Sequence, residues 1–295
     1  MVRSDALEIA LARSFRRLVD AGAPPRLRAA MRHAVFPGGA RVRPRLVLGV
    51  AAACGADVEA AMPAAVAVEL IHCASLVHDD LPCFDDAALR RGRATVHARF
   101  GESLAVLCGD GLIVAAFDEL AYGLAQSETI ARAVGLLATA ASAGNGLVAG
   151  QAWEAEPSPE LARYHHAKTG ALFASATALG ALAAGDDPAR WRPLGAAFGD
   201  AFQIADDILD RTATVAELGK PVRQDLNHGR PSVVDERGVD SARARLDAIR
   251  RRALELVPPC KGRESLRAWL EELMMTLFAR ALGPTPDHAG ASLSA

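Results

Sequence analysis

The stretch Glu69-Leu70-Ile71-His72-Cys73-Ala74-Ser75-Leu76-Val77-His78-Asp79-Asp80-Leu81-Pro82-Cys83-Phe84-Asp85-Asp86 decides how this chain is read. Its first half repeats apolar residues at three- and four-residue spacing, so the sequence predicts a helix over 59–80. Pro82 lacks an N–H and its ring clashes with the carbonyl four residues back, so the helix should end near Asp80. Asp79 and Asp80 then project from a helix C-terminus, where the dipole disfavours negative charge. Asp85 has to return through a short loop. An ordinary acidic loop would account for Pro82 and Asp85-Asp86 alone. A bound cation would account for all of it, because carboxylates set side by side repel one another.

Roughly 120 residues further on the chain reads Gln203-Ile204-Ala205-Asp206-Asp207-Ile208-Leu209-Asp210. Asp206 and Asp210 are four apart and share a helix face, with Asp207 on the flank. A solvated acidic face would be the plain explanation. The neighbours Ala201, Phe202, Ile204, Ala205, Ile208 and Leu209 argue against it, since carboxylates beside apolar residues are costly unless something pairs them. Two such nests facing each other would cage divalent metals, and metals held by a few carboxylates keep positions open for phosphate oxygens.

Helical periodicity also covers residues 5–20, 45–54, 102–124, 128–149, 160–184, 188–211, 239–256 and 263–281. Alternating strand patterns are nearly absent, and alanine is abundant, so an all-α domain is expected over 1–295. Breaks fall at Ala23-Pro24-Pro25, Phe36-Pro37-Gly38-Gly39, Glu156-Pro157-Ser158-Pro159 and Val257-Pro258-Pro259. Ser158 reads as an N-cap with Pro159 at the first helical position. The tail from about residue 283 reads as disordered. The net charge of −2 gives no electrostatic support for nucleic-acid binding. Five scattered cysteines form no CxxC pair, which fits a reducing compartment and excludes a disulfide framework or structural zinc. No apolar signal core opens the chain, and the uncharged run Thr169–Gly185 is too short to span a bilayer. A cytoplasmic protein with no transmembrane segment is expected.

Cations cluster near the first acidic nest as Arg90, Arg91 and Arg93, and around Gly38-Gly39 as Arg41, Arg43 and Arg45. Lys168 and Lys220 stand out in a chain with few lysines. Any one of these could be a solvated surface cation. Together with the acidic nests they suggest a diphosphate held both through metal and directly by Arg forks and Lys charges. His72 lies seven residues before Asp79, two turns away on about the same face.

These residues carry a resemblance. The chain is similar to trans-isoprenyl (polyprenyl) diphosphate synthases, most of all to bacterial geranylgeranyl diphosphate synthases of carotenoid and chlorophyll pathways. The likeness runs from about residue 30 to 235 through PGGARVRP (37–44), ELIHCASLVHDDLPCFDDAALRRG (69–92), GESLAVLCGD (101–110), GLVAGQAWE (146–154), HAKTGALF (166–173), FQIADDILD (202–210) and LGKPVRQDLNHGRPSVV (218–234). It implies an isoprenoid-synthase-type barrel of about ten helices around a central cavity, usually a homodimer, performing head-to-tail prenyl transfer.

The resemblance implies that Asp79, Asp80, Asp85, Asp206, Asp207 and Asp210 surround Mg²⁺, directly or through water. Arg90, Lys168, Gln203 and Lys220 would assist the allylic diphosphate. Arg43, His72 and Arg91 would hold isopentenyl diphosphate, with Phe202 near its hydrocarbon part. Small residues at Ala74 and Ser75, about one 5.4 Å turn below Asp79, would let the product grow past fifteen carbons. A deeper floor, at Ile71 or on a neighbouring helix, would stop it at twenty. Two departures stand out. The usual lysine after the double glycine is Ala40, leaving Arg41 or Arg43 to compensate, and a lysine late in the last motif is Arg230.

Four other readings compete. A farnesyl diphosphate synthase would differ in product. A non-catalytic subunit of a hetero-oligomer would usually have lost carboxylates, and both sets are present here. A terpene cyclase would usually pair one aspartate motif with an Asn/Ser/Glu motif. A structural helical module would leave both acidic nests unexplained.

Overall fold

The computed structural model describes residues 4–20, 22–36, 39–213 and 232–283. The expected disordered tail, beyond Gly283, and Lys220 and Arg230 lie outside the described residues. The chain runs through α1 Ser4–Phe15, a π-helical turn Arg16–Asp20, α2 Pro25–Val35, α3 Val42–Cys54 and α4 Val58–Asp79. A ribbon of β1 Leu89–Arg90 and β2 Arg93–Ala94 leads to α5 Val96–Phe100, α6 Glu102–Gly123, α7 Ser127–Ala141 and α8 Leu147–Ala152. After a 3₁₀ turn Trp153–Ala155 come α9 Leu161–His165, a π-helical turn His166–Gly170, α10 Ala171–Ala183 and α11 Pro188–Thr212. The described chain closes with α12 Val233–Arg237, α13 Val239–Glu255 and α14 Arg263–Leu282. The protein is all-α. Ten of the described α segments have eleven residues or more.

Local chemistry sets the ends of the two helices that matter most. Asp57 caps α4 by accepting from Glu59 N at 3.2 Å, and Asp187 caps α11 by accepting from Ala189 N at 3.0 Å, with Pro188 at the first helical position. At the other end of α4, Asp80 is the C-cap residue and its amide bonds Leu76 O, as Pro82 dictates.

Helix α4 is apolar around most of its circumference, and such a helix belongs in a core. Ala61 through Ile71 are all buried. By length and composition α4 is the one described helix apolar enough to cross a membrane, and 78% of that window is buried inside the protein. It packs on α3, α6 and α10, while α10 packs on α3, α7 and α11. Small residues let these axes come close. A Cβ on Gly199 of α11 would lie 2.7 Å from Gly170 Cα, so α11 can press against the π turn only with glycine there. One continuous apolar cluster runs from Leu7 to Ala281.

Two sequence expectations shift. The helix expected over 128–149 is two helices, because the chain turns at 142–146 between α7 and α8. Alanine-rich periodicity ran through the break and hid it. The start expected at Ser158-Pro159 moves to Leu161, where Tyr164 N bonds Glu160 O at 3.0 Å. Pro159 biases Ser158 to extended backbone, but helical bonding begins only at Glu160.

Candidate active site

A cavity of about 670 Å³ separates the C-terminal ends of α4 and α11. Asp79 and Asp85 line one wall, and Asp206 and Asp210 line the other. The loop after α4 returns as Pro82 requires: Asp85 N bonds Asp79 O at 3.0 Å and Ala87 N bonds Asp80 O at 3.2 Å. This folds Asp85 back beside Asp79. Carboxylate oxygens of Asp79, Asp85 and Glu154 lie within 4.8 Å of one another, a set of hard oxygen donors that fits Mg²⁺.

The other two aspartates turn away from the cavity. Asp80, 4% exposed, accepts from Arg90 at 2.7 Å, and the same fork reaches Asp79 Oδ2 at 3.5 Å. Burial pushes the Asp80 carboxyl up and Arg90 opposes it. Asp207, 2% exposed, accepts from Gln203 Nε2 at 3.0 Å, Val233 N at 2.9 Å and Ser232 Oγ at 3.3 Å. Burial raises its pKa to about 6 against those bonds, with the neighbouring Asp206 charge adding to the rise. His165 Nε2, buried and without a hydrogen-bond partner, lies 3.7 Å from Asp207 Oδ2. In both motifs, then, one carboxylate is buried against the protein, Asp80 on the Arg90 side chain and Asp207 on the Val233 amide, while its neighbour faces the cavity.

The Arg90-Arg91-Gly92-Arg93 turn has positive φ at both central residues, 53° at Arg91 and 71° at Gly92, as a twisted two-residue hairpin requires. The turn delivers Arg90 to the aspartates and lays the Arg91 guanidinium on Gly39, where an added Cβ would lie 2.5 Å from Arg91 Cζ. Arg43, His72 and Arg91 meet at the cavity. Arg43 Nη1 lies 3.5 Å from His72 Nε2, and its Nε is buried without a partner. Its guanidinium stacks 4.2 Å from the centre of the Phe173 ring and 5.8 Å from that of Phe202. Burial lowers the Arg43 pKa to about 10, and burial with the nearby arginines holds His72 well below its ordinary value. Among the described residues no carboxylate forms an ion pair with Arg43. A buried cation stacked on aromatic faces, with no carboxylate in ion-pair contact, is a ready-made anion site.

Arg41 does not compensate for Ala40. Its fork is taken up by Glu8, Glu69 and the Val35 carbonyl. Arg45 lies over Trp269, and Arg93 donates to Phe36 O and meets His33.

Lys168 and Thr169 sit in the π turn His166–Gly170, which widens the helix by one residue and turns both toward the cavity. Lys168 reaches Asp79 Oδ1 at 3.3 Å and also pairs with Glu154. Thr169 donates to Gln203 Oε1 at 2.8 Å. Glu154, Gln151, Tyr164 and Thr169 escaped the sequence reading. The only signal for the first two is their three-residue spacing inside 146–154, and they fall between the helices expected over 128–149 and 160–184. Below the carboxylates, Ile71, Ala74 and Ser75 line the cavity from α4, facing Ile113 of α6, Ala141 of α7, and Leu147 and Val148 of α8.

The Polyprenyl synthetase family model matches residues 24–255. The chain belongs to the polyprenyl synthetase family. It is 48% identical over 280 residues to the geranylgeranyl diphosphate synthase of Cereibacter sphaeroides, covering 93% of this chain and 97% of that one. The geranylgeranyl pyrophosphate synthetase of Pyrococcus horikoshii superposes with a TM-score of 0.79 at 30% identity, over 92% of this chain and 95% of that one. A Helicobacter pylori geranyltransferase complexed with magnesium and isoprenyl diphosphate superposes with a TM-score of 0.76 at 27% identity, over 94% of this chain and 99% of that one. As a polyprenyl synthetase, the chain presents acidic and basic walls and an apolar shaft in one cavity.

Proposed function

We propose that this chain condenses isopentenyl diphosphate with allylic diphosphates, head to tail, to geranylgeranyl diphosphate. The observation that carries this reading is the joint wall of the cavity: carboxylates on two opposed helix ends, a buried Arg43 beside them, and an apolar shaft below. Asp79 and Asp85 on one side, and Asp206 and Asp210 on the other, would hold Mg²⁺, with Asp80 holding Arg90 in place and Asp207 holding the Val233 amide. Bound Mg²⁺ supplies neutralisation of the charge that grows on the leaving diphosphate. Arg90, Lys168, Gln203 and Lys220 assist the allylic diphosphate, and Arg43, His72 and Arg91 seat isopentenyl diphosphate.

As the allylic C1–O bond breaks, the carbocation lies in a shaft walled by side chains with no strong nucleophile. Phe202 offers a ring face, and Thr169 and Gln203 offer oxygen dipoles. The isopentenyl double bond attacks C1, and the proton lost from the adduct goes to the departed diphosphate. No side-chain base is needed.

The shaft favours a twenty-carbon product. The small Ala74 and Ser75 line it next to Asp79, and the larger Ile71, Ile113 and Leu147 also line it and are candidates for its floor. A farnesyl diphosphate synthase would need an earlier floor. The regulatory-subunit reading loses ground because two carboxylates of each motif line the cavity. We further propose a single cytoplasmic domain acting as a homodimer. Support for the dimer comes from α6, which exposes Leu107 at 52%, Val114 at 68% and Tyr122 at 77%. Incubating the purified chain with isopentenyl and allylic diphosphates, with and without Mg²⁺, tests the reading. Metal-dependent prenyl transfer is expected, and its absence from folded protein would overturn it.

A further inference from the structure

Glu154 lies within 4.8 Å of the Asp79 and Asp85 carboxylates but does not line the cavity with them. It stands in the 3₁₀ turn after α8, with its side chain 10% exposed. Three donors converge on it. Tyr164 Oη donates to Oε1 at 2.8 Å, Gln151 Nε2 to Oε2 at 3.1 Å, and Lys168 Nζ to Oε1. The same ammonium lies 3.3 Å from Asp79 Oδ1, so Glu154 is the closer of its two carboxylates. The scaffold enforces this. A Cβ on Gly150 would lie 2.4 Å from Lys168 Cα, so α8 is pressed directly against the π turn. The turn in turn allows Lys168 and Thr169 to face the cavity together.

We propose that Glu154 is a positioning residue that shares the Lys168 ammonium with Asp79 and so weakens the Lys168–Asp79 pair, letting a divalent cation compete for Asp79 more easily until diphosphate arrives. This rests on reading the cavity as a metal–diphosphate site. Tyr164 and Gln151 clamp the carboxylate from behind, so it cannot follow the ammonium. Without the Glu154 charge, Asp79 is the carboxylate already in reach of Lys168. The ammonium would then close on Asp79 and compete with the metal for it.

Mn²⁺ alone, titrated into the full-length protein and followed by electron paramagnetic resonance, gives a readout independent of turnover. Glu154→Gln should raise the Mn²⁺ concentration at half-saturation by about tenfold, the size expected for coupled charges in contact. Tyr164→Phe, which only loosens the clamp, should raise it by about threefold. In a Lys168→Met background Glu154→Gln should have no effect, because the competing ammonium is gone. The KM for isopentenyl diphosphate, bound elsewhere, should not move in Glu154→Gln. Unchanged Mn²⁺ binding in Glu154→Gln overturns the proposal. So does a loss that persists in the Lys168→Met background, since Glu154 would then act on the metal directly. Wild-type prenyl transfer is assayed in parallel. If it is absent, the functional reading fails; if it is present while the variants do not shift, only the role of Glu154 fails.

Discussion

Arg41 Nη1 donates to Glu69 Oε1 at 2.6 Å, with both side chains 3% exposed. Glu8 on α1 and the Val35 carbonyl take up the rest of the fork, so the arginine pins α1 and the end of α2 to the core helix α4. Burial would lower its pKa, but the Glu8 hydrogen bond and the Glu69 charge more than reverse this. Arg41 also holds left-handed backbone, with φ at 49°. Arg41→Ala should therefore cost about 3–5 kcal/mol by stranding Glu69. Chemical denaturation measures this, and a loss under about 1 kcal/mol would contradict the role.

With Arg41 committed, the place of Ala40 is still open. Ala40 is exposed beside Gly39, on which the Arg91 guanidinium rests. Ala40→Lys should lower the apparent KM for isopentenyl diphosphate or leave it unchanged. A sharp rise in KM with the fold intact would show that the diphosphate does not bind beside Ala40.

The paired aspartates should separate by phenotype. Asp79→Ala and Asp206→Ala should each cut kcat by orders of magnitude with little change in Tm, because both face the cavity. Asp207→Ala should lower Tm by several degrees, since Gln203, Ser232 and the Val233 amide lose their shared acceptor. Chelation should abolish turnover and Mg²⁺ should restore it. Near-normal kcat in either cavity-facing variant would remove that residue from the metal site.

Acid should destabilise the protein through its buried histidines. Burial holds His165 at about 4 and His72 well below the ordinary 6.5. Between those values these histidines bind protons in the unfolded chain and not in the folded one, so their contribution to stability is full above about pH 6.5 and is lost as pH drops toward 4, while the raised Asp207 carboxyl works in the opposite direction. His165→Gln should flatten part of this slope. Tm measured across that window checks it, and identical slopes for variant and wild type would contradict it.

Much of this was legible in the sequence because two strong local rules coincided. Pro82 stopped an apolar helix at the first aspartates, and the four-residue spacing of Asp206 and Asp210 put both on one face. The resemblance supplied the pairing of these motifs, which periodicity alone could not. What stayed hidden depended on contacts between distant segments. Glu154 matters only because α8 turns back onto the π turn, and the turn at 142–146 was masked by alanine-rich periodicity. Asp80 and Asp207 look like their neighbours in sequence, and only burial separates them. Arg41 and Arg43 are two residues apart, yet one locks the fold while the other stacks on Phe173 at the cavity.

The shaft below Asp79 predicts how the product is measured out. Ala74 is 1% exposed and lines the cavity on α4. A ring in its place must block the shaft or disturb the packing. Ala74→Phe should shift the product from geranylgeranyl to farnesyl diphosphate at similar total turnover. A folded variant that still makes mainly the longer product would place the floor elsewhere.

The most direct measurement is chromatography of dephosphorylated products from the purified wild-type chain, given isopentenyl diphosphate, an allylic starter and Mg²⁺. The account predicts geranylgeraniol as the main alcohol. Farnesol as the main alcohol, or no prenyl alcohol beyond the starter, would contradict it.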